Sequence, residues 1–166
     1  AATEIRYGTG ASPFGNCMVA WSSDALVKVD FFDDDVGLAA HVQDLRTAWS
    51  TEEIELDQVR AFSFITQIFE PDASTALRLL LKGSELRLKV WTALAHIPSG
   101  MTVSYEALAQ MVGKPRAVRA VASCVGKNDL AYIIPCHRGV RKSGEIGQFR
   151  SGVERKRAML RSEGAL

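Results

Sequence analysis

The segment with the clearest chemical potential spans residues 133–138, which read IIPCHR. It places Cys136 directly before His137, and Pro135 fixes the backbone that leads into this pair. The thiolate form of cysteine is the nucleophile, and a nearby histidine or cation lowers the pKa of the thiol. The segment therefore predicts nucleophilic chemistry at the sulfur of Cys136.

A second interpretation gives Cys136 no chemical role. A free cysteine is commonly a small buried hydrophobic residue. Adjacent side chains of an extended strand point to opposite faces, so a contact between Cys136 and His137 does not follow from their adjacency. A functional pair needs a bridging water or a turn at this point of the chain. On these residues alone, both interpretations stay open.

The cysteine count and the composition exclude several other classes of protein. Cys17, Cys124 and Cys136 are an odd number with no CxxC pair, which argues against a disulfide framework and a cysteine-rich zinc site. The 166 residues are 47% hydrophobic and 23% charged, as in globular proteins. They contain no apolar run of the ~18 residues that a membrane span needs, and the N-terminus has no secretory signal. We therefore expect a metal-free protein of the reducing cytoplasm.

Charge is distributed unevenly along the chain, although the net charge is only +1. Residues 1–82 carry a net charge of −7, and residues 83–166 carry +8. A strongly basic half indicates a polyanionic partner, with nucleic acid as the first expectation. Basic helices are also often no more than solvated surfaces, so the charge pattern alone leaves both possibilities open.

The acidic half has the pattern of a small α/β domain over residues 1–82. The predicted elements are a hairpin of strands 16–22 and 25–32, a helix that begins after Asp33, Asp34 and Asp35 with Leu38, Val42, Leu45 and Trp49 at helical spacing, a helix over 56–69 and a strand at 77–81. The apolar side of the second helix is expected to consist of Val59, Phe62, Ile65 (or Thr66) and Phe69.

The basic half, residues 83–166, has the pattern of a mainly helical domain. Three helices are predicted. The first is capped by Ser84 and carries Leu86, Val90, Trp91 and Leu94, and the second, over 105–112, is capped by Ser104 and has Leu108, Met111 and Val112 as its apolar residues. The third, over 115–125, is expected to bury Ala117, Val118, Val121 and Ala122. Gly113 separates the last two, the second of which is basic, and this pattern is typical of a helix-turn-helix. Helical hairpins without a DNA role share it.

Around Cys136, the sequence resembles the O6-alkylguanine-DNA alkyltransferases over residues 83–164. The active-site signature of that family matches Pro135-Cys136-His137-Arg138, and further matches in the same order are Val90-Trp91, Ile97-Pro98-x-Gly100, Thr102-Val103-Ser104-Tyr105, Leu108-Ala109, Gly113-Lys114-Pro115, Arg119-Ala120-Val121, Asn128, Ser143-Gly144, Gly147 and Glu163. Residues 5–7 and 15–20 resemble the start of the C-terminal domain of Ada-type methyltransferases, so the chain is expected to be a fragment of such a protein.

The resemblance implies a fold and a reaction. The fold is a ribonuclease H-like α/β domain followed by a winged helix-turn-helix-like domain. In the reaction, Cys136 takes an alkyl group from O6 of guanine in DNA (or O4 of thymine), and the protein is consumed. His137 acts as base through a water, and Glu163 orients it. Asn128 ties the active-site turn to the recognition helix, or caps that helix, and Tyr105 donates a hydrogen bond to the departing guanine.

The resemblance also implies how DNA is held. Because the target atom lies inside the duplex, the base must be flipped out, and Arg119 is expected to fill the gap. The family places this recognition helix in the minor groove. The expected contacts to phosphates are Lys114, Arg116 and Lys142, with Lys127 and Arg141 as further ones. The expected partner is double-stranded DNA carrying O6-alkylguanine, bound by a monomer without any cofactor and without a membrane.

Two departures from the family pattern concern the substrate pocket. Gly139 stands where the family usually has valine, and Gln148-Phe149 stands where it has glycine and tyrosine, so a hydroxyl is missing from the pocket wall. Arg150 follows in the same wall. These differences bear on substrate range and rate rather than on the type of reaction.

Two other functions remain as alternatives. One is a non-catalytic binder of damaged bases, similar to the alkyltransferase-like sensors, in which the cysteine is replaced; the presence of Cys136 argues against it. The other is a transcription factor that uses the helix-turn-helix, which a symmetric operator would support.

Overall fold

The computed structural model describes residues 4–70, 76–147 and 149–166. The chain divides into two compact units, Ala1–Leu80 and Leu81–Leu166. The first unit contains a sheet with helices, and the second is mainly helical. That the sequence halves 1–82 and 83–166 are independent domains stays a prediction.

The first unit is built on a five-stranded sheet. Its strands are β1 (Glu4–Ser12), β2 (Gly15–Ser22), β3 (Ala25–Phe32), β4 (Glu53–Leu56) and β5 (Arg78–Leu79), in the spatial order β4-β1-β2-β3-β5. The predicted hairpin is confirmed: β2 and β3 pair antiparallel, and Ser23 has the positive φ of 55° that a tight turn needs. The strand predicted at 77–81 is only two residues long. Strands β1 and β4 have no counterpart among the predicted elements.

The first helix, α1 (Asp35–Ala48), lies where the three aspartates predict it. The Asp34 side chain accepts a hydrogen bond from the backbone N–H of Gly37 at 2.9 Å and caps the helix. Leu45 is buried in a core with Ile5 and Met18, and the other predicted inward residues of the helix pack against that core while partly exposed. The aspartate cap and the apolar spacing are thus both confirmed.

The face predicted for the second helix is confirmed at Ile65, which is buried, and wrong at Val59 and Phe62. Helix α2 (Gln58–Phe69) exposes Val59 by 85% and Phe62 by 70%, whereas its buried residues are Ala61, Phe64, Ile65 and Ile68. Close approach to β1 selects this face, because a Cβ at Gly8 would overlap the Cβ of Ala61. Phe64 also packs on Trp21, with the ring centroids 5.0 Å apart. The close contact between Ala61 and Gly8 thus determines which face of α2 is buried, although two larger apolar side chains are left exposed.

The second unit contains four helices and a short two-stranded pairing. The helices are α3 (Glu85–Ala95), α4 (Tyr105–Met111), α5 (Val118–Gly126) and α6 (Val153–Ser162), and the parallel strands are β6 (Val103–Ser104) and β7 (Gly139–Val140). The predicted caps are confirmed: Ser84 accepts from the N–H of Arg87 and Ser104 from that of Ala107. Helix α6 was not predicted.

The third predicted helix of this unit begins later than expected. Helix α5 starts at Val118 with Ala117 as its N-cap, not at Pro115. The backbone N–H of Ala117 donates to the carbonyl of Lys114 at 2.9 Å, which places Pro115 in a turn before the helix. Val121 is buried as predicted, whereas Ala117, Val118 and Ala122 are only partly buried.

Candidate active site

The segment that carries Cys136 is a hydrogen-bonded turn rather than an extended strand. The side-chain amide of Asn128 donates to the carbonyls of Leu130 (3.2 Å) and Ile134 (2.9 Å), and its oxygen accepts from the N–H of Leu130 (2.9 Å). The N–H of Cys136 then donates to the carbonyl of Ile134 at 2.7 Å across Pro135, whose φ of −79° and ψ of 63° form an inverse γ-turn. Asn128 and Pro135 together fix the backbone at the thiol.

The Cys136 side chain is buried. The residue is the first of a 3₁₀ turn, Cys136–Arg138. Burial strongly raises the pKa of the Cys136 thiol, because the thiolate loses hydration. Two neighbours oppose this effect on the pKa, because the side-chain amide of Asn128 and the positive charge of Lys156 both favour the thiolate. The turn therefore protects a thiol whose ionisation depends on its neighbours.

His137 and Glu163 form the pair that the resemblance implies. The Nε2 atom of His137 lies 3.0 Å from Oε2 of Glu163, and the His137 side chain is completely buried. Burial lowers the pKa of His137, and the carboxylate of Glu163 opposes that shift. The other ring nitrogen, Nδ1, is buried and has no hydrogen-bond partner within the described part of the chain.

Glu163 is shared between His137 and Arg138. The Arg138 guanidinium donates to Oε1 of Glu163 through Nε (3.0 Å) and to Oε2 through Nη2 (2.6 Å), and its Nη1 donates to the carbonyl of Ile97. Burial of Glu163 opposes its ionisation, but the hydrogen bonds from Arg138 and His137 prevail and lower its pKa. The carboxylate is therefore ionised whenever His137 needs a negative partner.

Lys156 is a residue of the site that the sequence analysis missed. It is fully buried on α6, and its Nζ donates to the carbonyl of Gly139 at 2.7 Å. Burial lowers the pKa of Lys156 to about 8. A signal was available, because Lys156 lies three and four residues before Met159 and Leu160, on the buried face of the helix. A lysine on such a face needs a partner of opposite charge or a strong acceptor.

We expect Lys156→Met to slow the alkylation of Cys136 by iodoacetamide about tenfold at pH 7, because the thiolate loses its buried cation. Lys156 itself loses its charge as the pH rises through about 8. The ratio of wild-type to variant rate should therefore fall above that pH. Rates measured between pH 6 and 10, with the modified peptide identified by mass, test this. The exposed Lys142→Met is the matched control, and a ratio that stays constant across pH 8 would contradict the electrostatic role.

A cavity of about 640 Å³ opens at Cys136. The residues that line it are Tyr105, Ala122, Ser123, Val125, Gly126, Lys127, Asn128, Ala131, Cys136, Arg141, Phe149, Arg150 and Ser151. Burial raises the pKa of Tyr105, so its phenol stays protonated and able to donate a hydrogen bond. Arg150 contacts Oδ1 of Asp129 at 3.3 Å. The predicted pocket residues Phe149 and Arg150 are thus in this wall.

Gly139, the third predicted pocket residue, lies behind the cavity wall. A Cβ at this position would be 3.3 Å from Cε1 of Tyr105 and 3.4 Å from the carbonyl oxygen of Cys136. The absence of a side chain here lets the Tyr105 ring pack against the backbone. The neighbouring sequence departure, Gln148, lies outside the described residues.

Of the predicted DNA contacts, Tyr105, Lys127 and Arg141 line the cavity, and the other four are exposed at the surface of the second unit. Arg119 is the second residue of α5 and is exposed. Lys114 and Arg116 are exposed in the turn before that helix, and Lys142 is exposed after β7. None of these four side chains lines the cavity, among the residues that the structure describes.

Comparison with known proteins places this arrangement in a family. The DNA-binding domain of 6-O-methylguanine DNA methyltransferase matches residues 85–165. The methylated-DNA–protein-cysteine methyltransferase of Mycobacterium tuberculosis is 33% identical over 163 residues, which cover 96% of this chain and 92% of that protein. The chain belongs to the methylated-DNA–protein-cysteine methyltransferase family.

Other members of the family extend the match to the first unit. The bifunctional transcriptional activator and DNA repair enzyme Ada of Escherichia coli is 39% identical over 160 residues, covering 96% of this chain. This chain spans 45% of the length of that Ada protein. The solved structure of Mycobacterium tuberculosis OGT in complex with DNA superposes with a TM-score of 0.77 at 29% identity, over 96% of this chain and 93% of the other. Both units therefore have the fold of this alkyltransferase family.

The described residues also bear on two other classes of site. Among residues 4–70, 76–147 and 149–166, no three His, Cys, Asp or Glu side chains come together as a set that could hold a metal ion. Within the same ranges, every helix is too short or too polar to span a membrane.

Proposed function

We propose that this chain repairs DNA as a methylated-DNA–protein-cysteine S-methyltransferase that transfers one alkyl group from O6 of guanine to Cys136. The observation that carries the proposal is a buried thiol in the wall of a cavity, at the end of a turn that Asn128 holds by hydrogen bonds and followed directly by the His137–Glu163 pair. Such an arrangement serves an activated nucleophile. The chain acts as a monomer in the cytoplasm and uses no cofactor, because the lesion itself supplies the alkyl group.

The transfer is a displacement at the alkyl carbon. His137 takes the proton of Cys136 through a water, and Glu163 stabilises the resulting imidazolium. The sulfur then forms a bond to the alkyl carbon while the carbon–oxygen bond breaks, and the electron pair moves to the guanine. Tyr105, in the cavity wall, donates its phenol hydrogen bond to that departing base. The thioether product has no good leaving path at neutral pH, so each chain reacts once.

Mass spectrometry of the intact protein tests the proposal. After mixing with duplex DNA that carries O6-methylguanine, the chain should gain the mass of one CH2 group, and the DNA should lose it. A protein that binds the lesion tightly but gains no mass would be a damage sensor, and the proposal would be wrong. Preferential binding to a symmetric undamaged operator would instead indicate a transcription factor.

We propose a finer architecture and docking mode on the same basis. The sheet of the first unit, in the order β4-β1-β2-β3-β5, supports a ribonuclease H-like domain. In the second unit, α4 and α5 around Gly113, with the β6–β7 pair as the wing, support a winged helix-turn-helix. Helix α5 then enters the minor groove, and the positive charge of residues 83–166 neutralises phosphates.

Arg119→Ala should reduce repair of duplex DNA far more than it reduces binding. If Arg119 fills the gap that the flipped base leaves in the stack, it offsets part of the unstacking free energy of a few kcal/mol. Its loss then makes flipping less favourable and lowers the fraction of DNA with the base flipped out. Phosphate contacts, and with them most of the affinity, should persist. Single-turnover rates on a duplex and on the same lesion in a single strand measure the difference, which should shrink on the single strand.

Lys142→Ala is the matched control for Arg119→Ala. Loss of one phosphate contact should weaken binding to every sequence and lower the salt dependence of the affinity by about one unit of slope. It should slow duplex and single-strand repair alike once binding is saturated. Equal slowing of both substrates by Arg119→Ala would reduce Arg119 to an ordinary surface cation.

A further inference from the structure

We infer that Tyr132 is a positioning residue for His137: its ring stacks parallel to the imidazole with an offset and stabilises the imidazolium that accompanies the Cys136 thiolate. The inference rests on the proposed function and deepens it, since it explains how the buried base of the site is held. Three observations carry it: the backbone of Tyr132, the hydrogen bonds around that backbone, and the arrangement of the two rings.

The backbone at Tyr132 has a conformation that large side chains rarely adopt. Its φ is +70°, and in the described part of the chain Ser23 in the hairpin turn is the only other non-glycine residue with positive φ. The N–H of Ile133 donates to the carbonyl of Ala131 at 2.9 Å, which closes a γ-turn centred on Tyr132. A γ-turn with positive φ is rare and strained. Glycine or asparagine would adopt it at lower cost.

The surrounding hydrogen bonds hold the strained turn in place. The N–H of Ile134 donates to the carbonyl of Leu130 at 3.0 Å, and the side chain of Asn128 binds the carbonyls of both residues. These bonds fix residues 130–134 independently of which side chain follows Ala131. The turn therefore does not require a tyrosine at position 132. The contacts of the Tyr132 ring must explain why a tyrosine stands there.

The ring of Tyr132 lies parallel to the ring of His137. Their centroids are 6.0 Å apart and their planes differ by 10°. His137 is completely buried, so this offset stack replaces solvent on one face of the imidazole. A cation over an aromatic face is attracted to it, and the attraction strengthens away from water. The stack thus favours the imidazolium over the neutral ring and keeps the imidazole plane fixed.

Within the described residues, the other side chains that act on His137 are charged, whereas Tyr132 acts through its ring. Glu163, at the end of α6, favours the imidazolium, whereas Arg138 and Lys156 disfavour it. Burial and the charge of Glu163 raise the pKa of Tyr132, so its phenol stays neutral beside the histidine. Tyr132 therefore offsets part of the positive charge that surrounds the base without adding a titrating group.

Three variants separate the ring from the backbone. Tyr132→Phe keeps the ring, and it should match the wild-type transfer rate and pH profile. Tyr132→Gly and Tyr132→Asn keep the turn and remove the ring, so their melting temperatures should equal or exceed that of the wild type. At pH 7 both should transfer about 3- to 30-fold more slowly, the range that loss of a cation–π contact gives. Their pH–rate profiles should shift to higher pH, because the thiolate–imidazolium pair forms less readily.

Alkylation of Cys136 by iodoacetamide, measured on the same variants, separates this inference from the proposed function. That reaction needs the thiolate but no DNA, so the same order of rates is expected even if the wild type fails to accept an alkyl group from DNA. The inference is overturned if Tyr132→Gly reacts at the wild-type rate with an unchanged pH profile. It is also overturned if Tyr132→Phe is as slow as Tyr132→Gly, or if both ring-free variants lose stability in proportion to rate.

Discussion

Cys136→Ser should still bind alkylated duplex DNA and transfer nothing. Serine has nearly the same size as cysteine, but its hydroxyl does not ionise with a histidine as base in this environment. The expected loss of transfer is complete within detection. Intact-mass spectrometry after incubation with O6-methylguanine DNA measures transfer, and fluorescence anisotropy at fixed salt measures binding.

The other two cysteines provide the matched controls for Cys136→Ser. Cys17 and Cys124 are buried in β2 and α5, and neither lines the cavity, within the residues described. Cys17→Ser and Cys124→Ser should each still accept one alkyl group, located on Cys136 by peptide mapping. A methyl group found on either of them, or more than one transfer per chain, would overturn the assignment of Cys136.

Glu163→Gln should slow transfer by about 10²- to 10⁴-fold, the usual range for loss of a general base, and leave DNA affinity nearly unchanged. Burial already lowers the pKa of His137, and the Glu163 carboxylate is the group that opposes this shift. Without that charge, His137 becomes a weaker base and the thiolate forms less often. Single-turnover rates under saturating protein measure the effect.

The pH dependence of Glu163→Gln has a definite sign. Because the pKa of Glu163 is lowered from 4.5, its charge persists as the pH falls to that value and is lost only below it. The ratio of wild-type to variant rate should therefore hold down to about pH 5 and diminish only at more acidic pH. A ratio that already declines near pH 6 would mean that another group controls His137.

Arg138→Gln distinguishes the two partners of Glu163. This variant breaks the ion pair between Arg138 and Glu163 and leaves the contact of Glu163 with His137. Since the Arg138 charge lowers the pKa of His137, its removal should not weaken the base, although the melting temperature should fall. If Arg138→Gln were as slow as Glu163→Gln, then Glu163 would act through the ion pair and not through the imidazole.

The elements that could be predicted are those with a local signal. The aspartate and serine caps and the β2–β3 hairpin follow from residue types within a few positions of one another. The inward face of α2 does not, because Val59 and Phe62 fit helical spacing as well as Phe64 and Ile68 do. The choice depends on the close approach of Ala61 to Gly8, about fifty residues away in sequence, which no local pattern contains.

The site divides in the same way. The residue types and the resemblance predict Cys136, His137 and Glu163, and the structure brings the last two within 3.0 Å of each other. The turn around Cys136 depends on hydrogen bonds from Asn128 to backbone carbonyls, and such bonds leave no pattern of residue types. Lys156 and Tyr132 were missed for a related reason: a lysine reads as a surface residue, and positive φ is not expected of tyrosine.

The position of Asn128 bears on the affinity for DNA after the transfer is complete. It follows directly after Lys127, the C-cap of α5, and its side-chain amide donates to the carbonyl of Ile134 in the turn that leads into Cys136, so one side chain joins the proposed DNA-reading helix to the turn of the reacting group. Coupling between two such sites is reciprocal. If bound DNA raises the equilibrium constant for ionisation of the Cys136 thiol by some factor, then ionisation of the thiol raises the affinity for DNA by the same factor. A methylated sulfur cannot ionise, so the spent chain forfeits that share of its affinity and leaves the repaired duplex accessible to a fresh one.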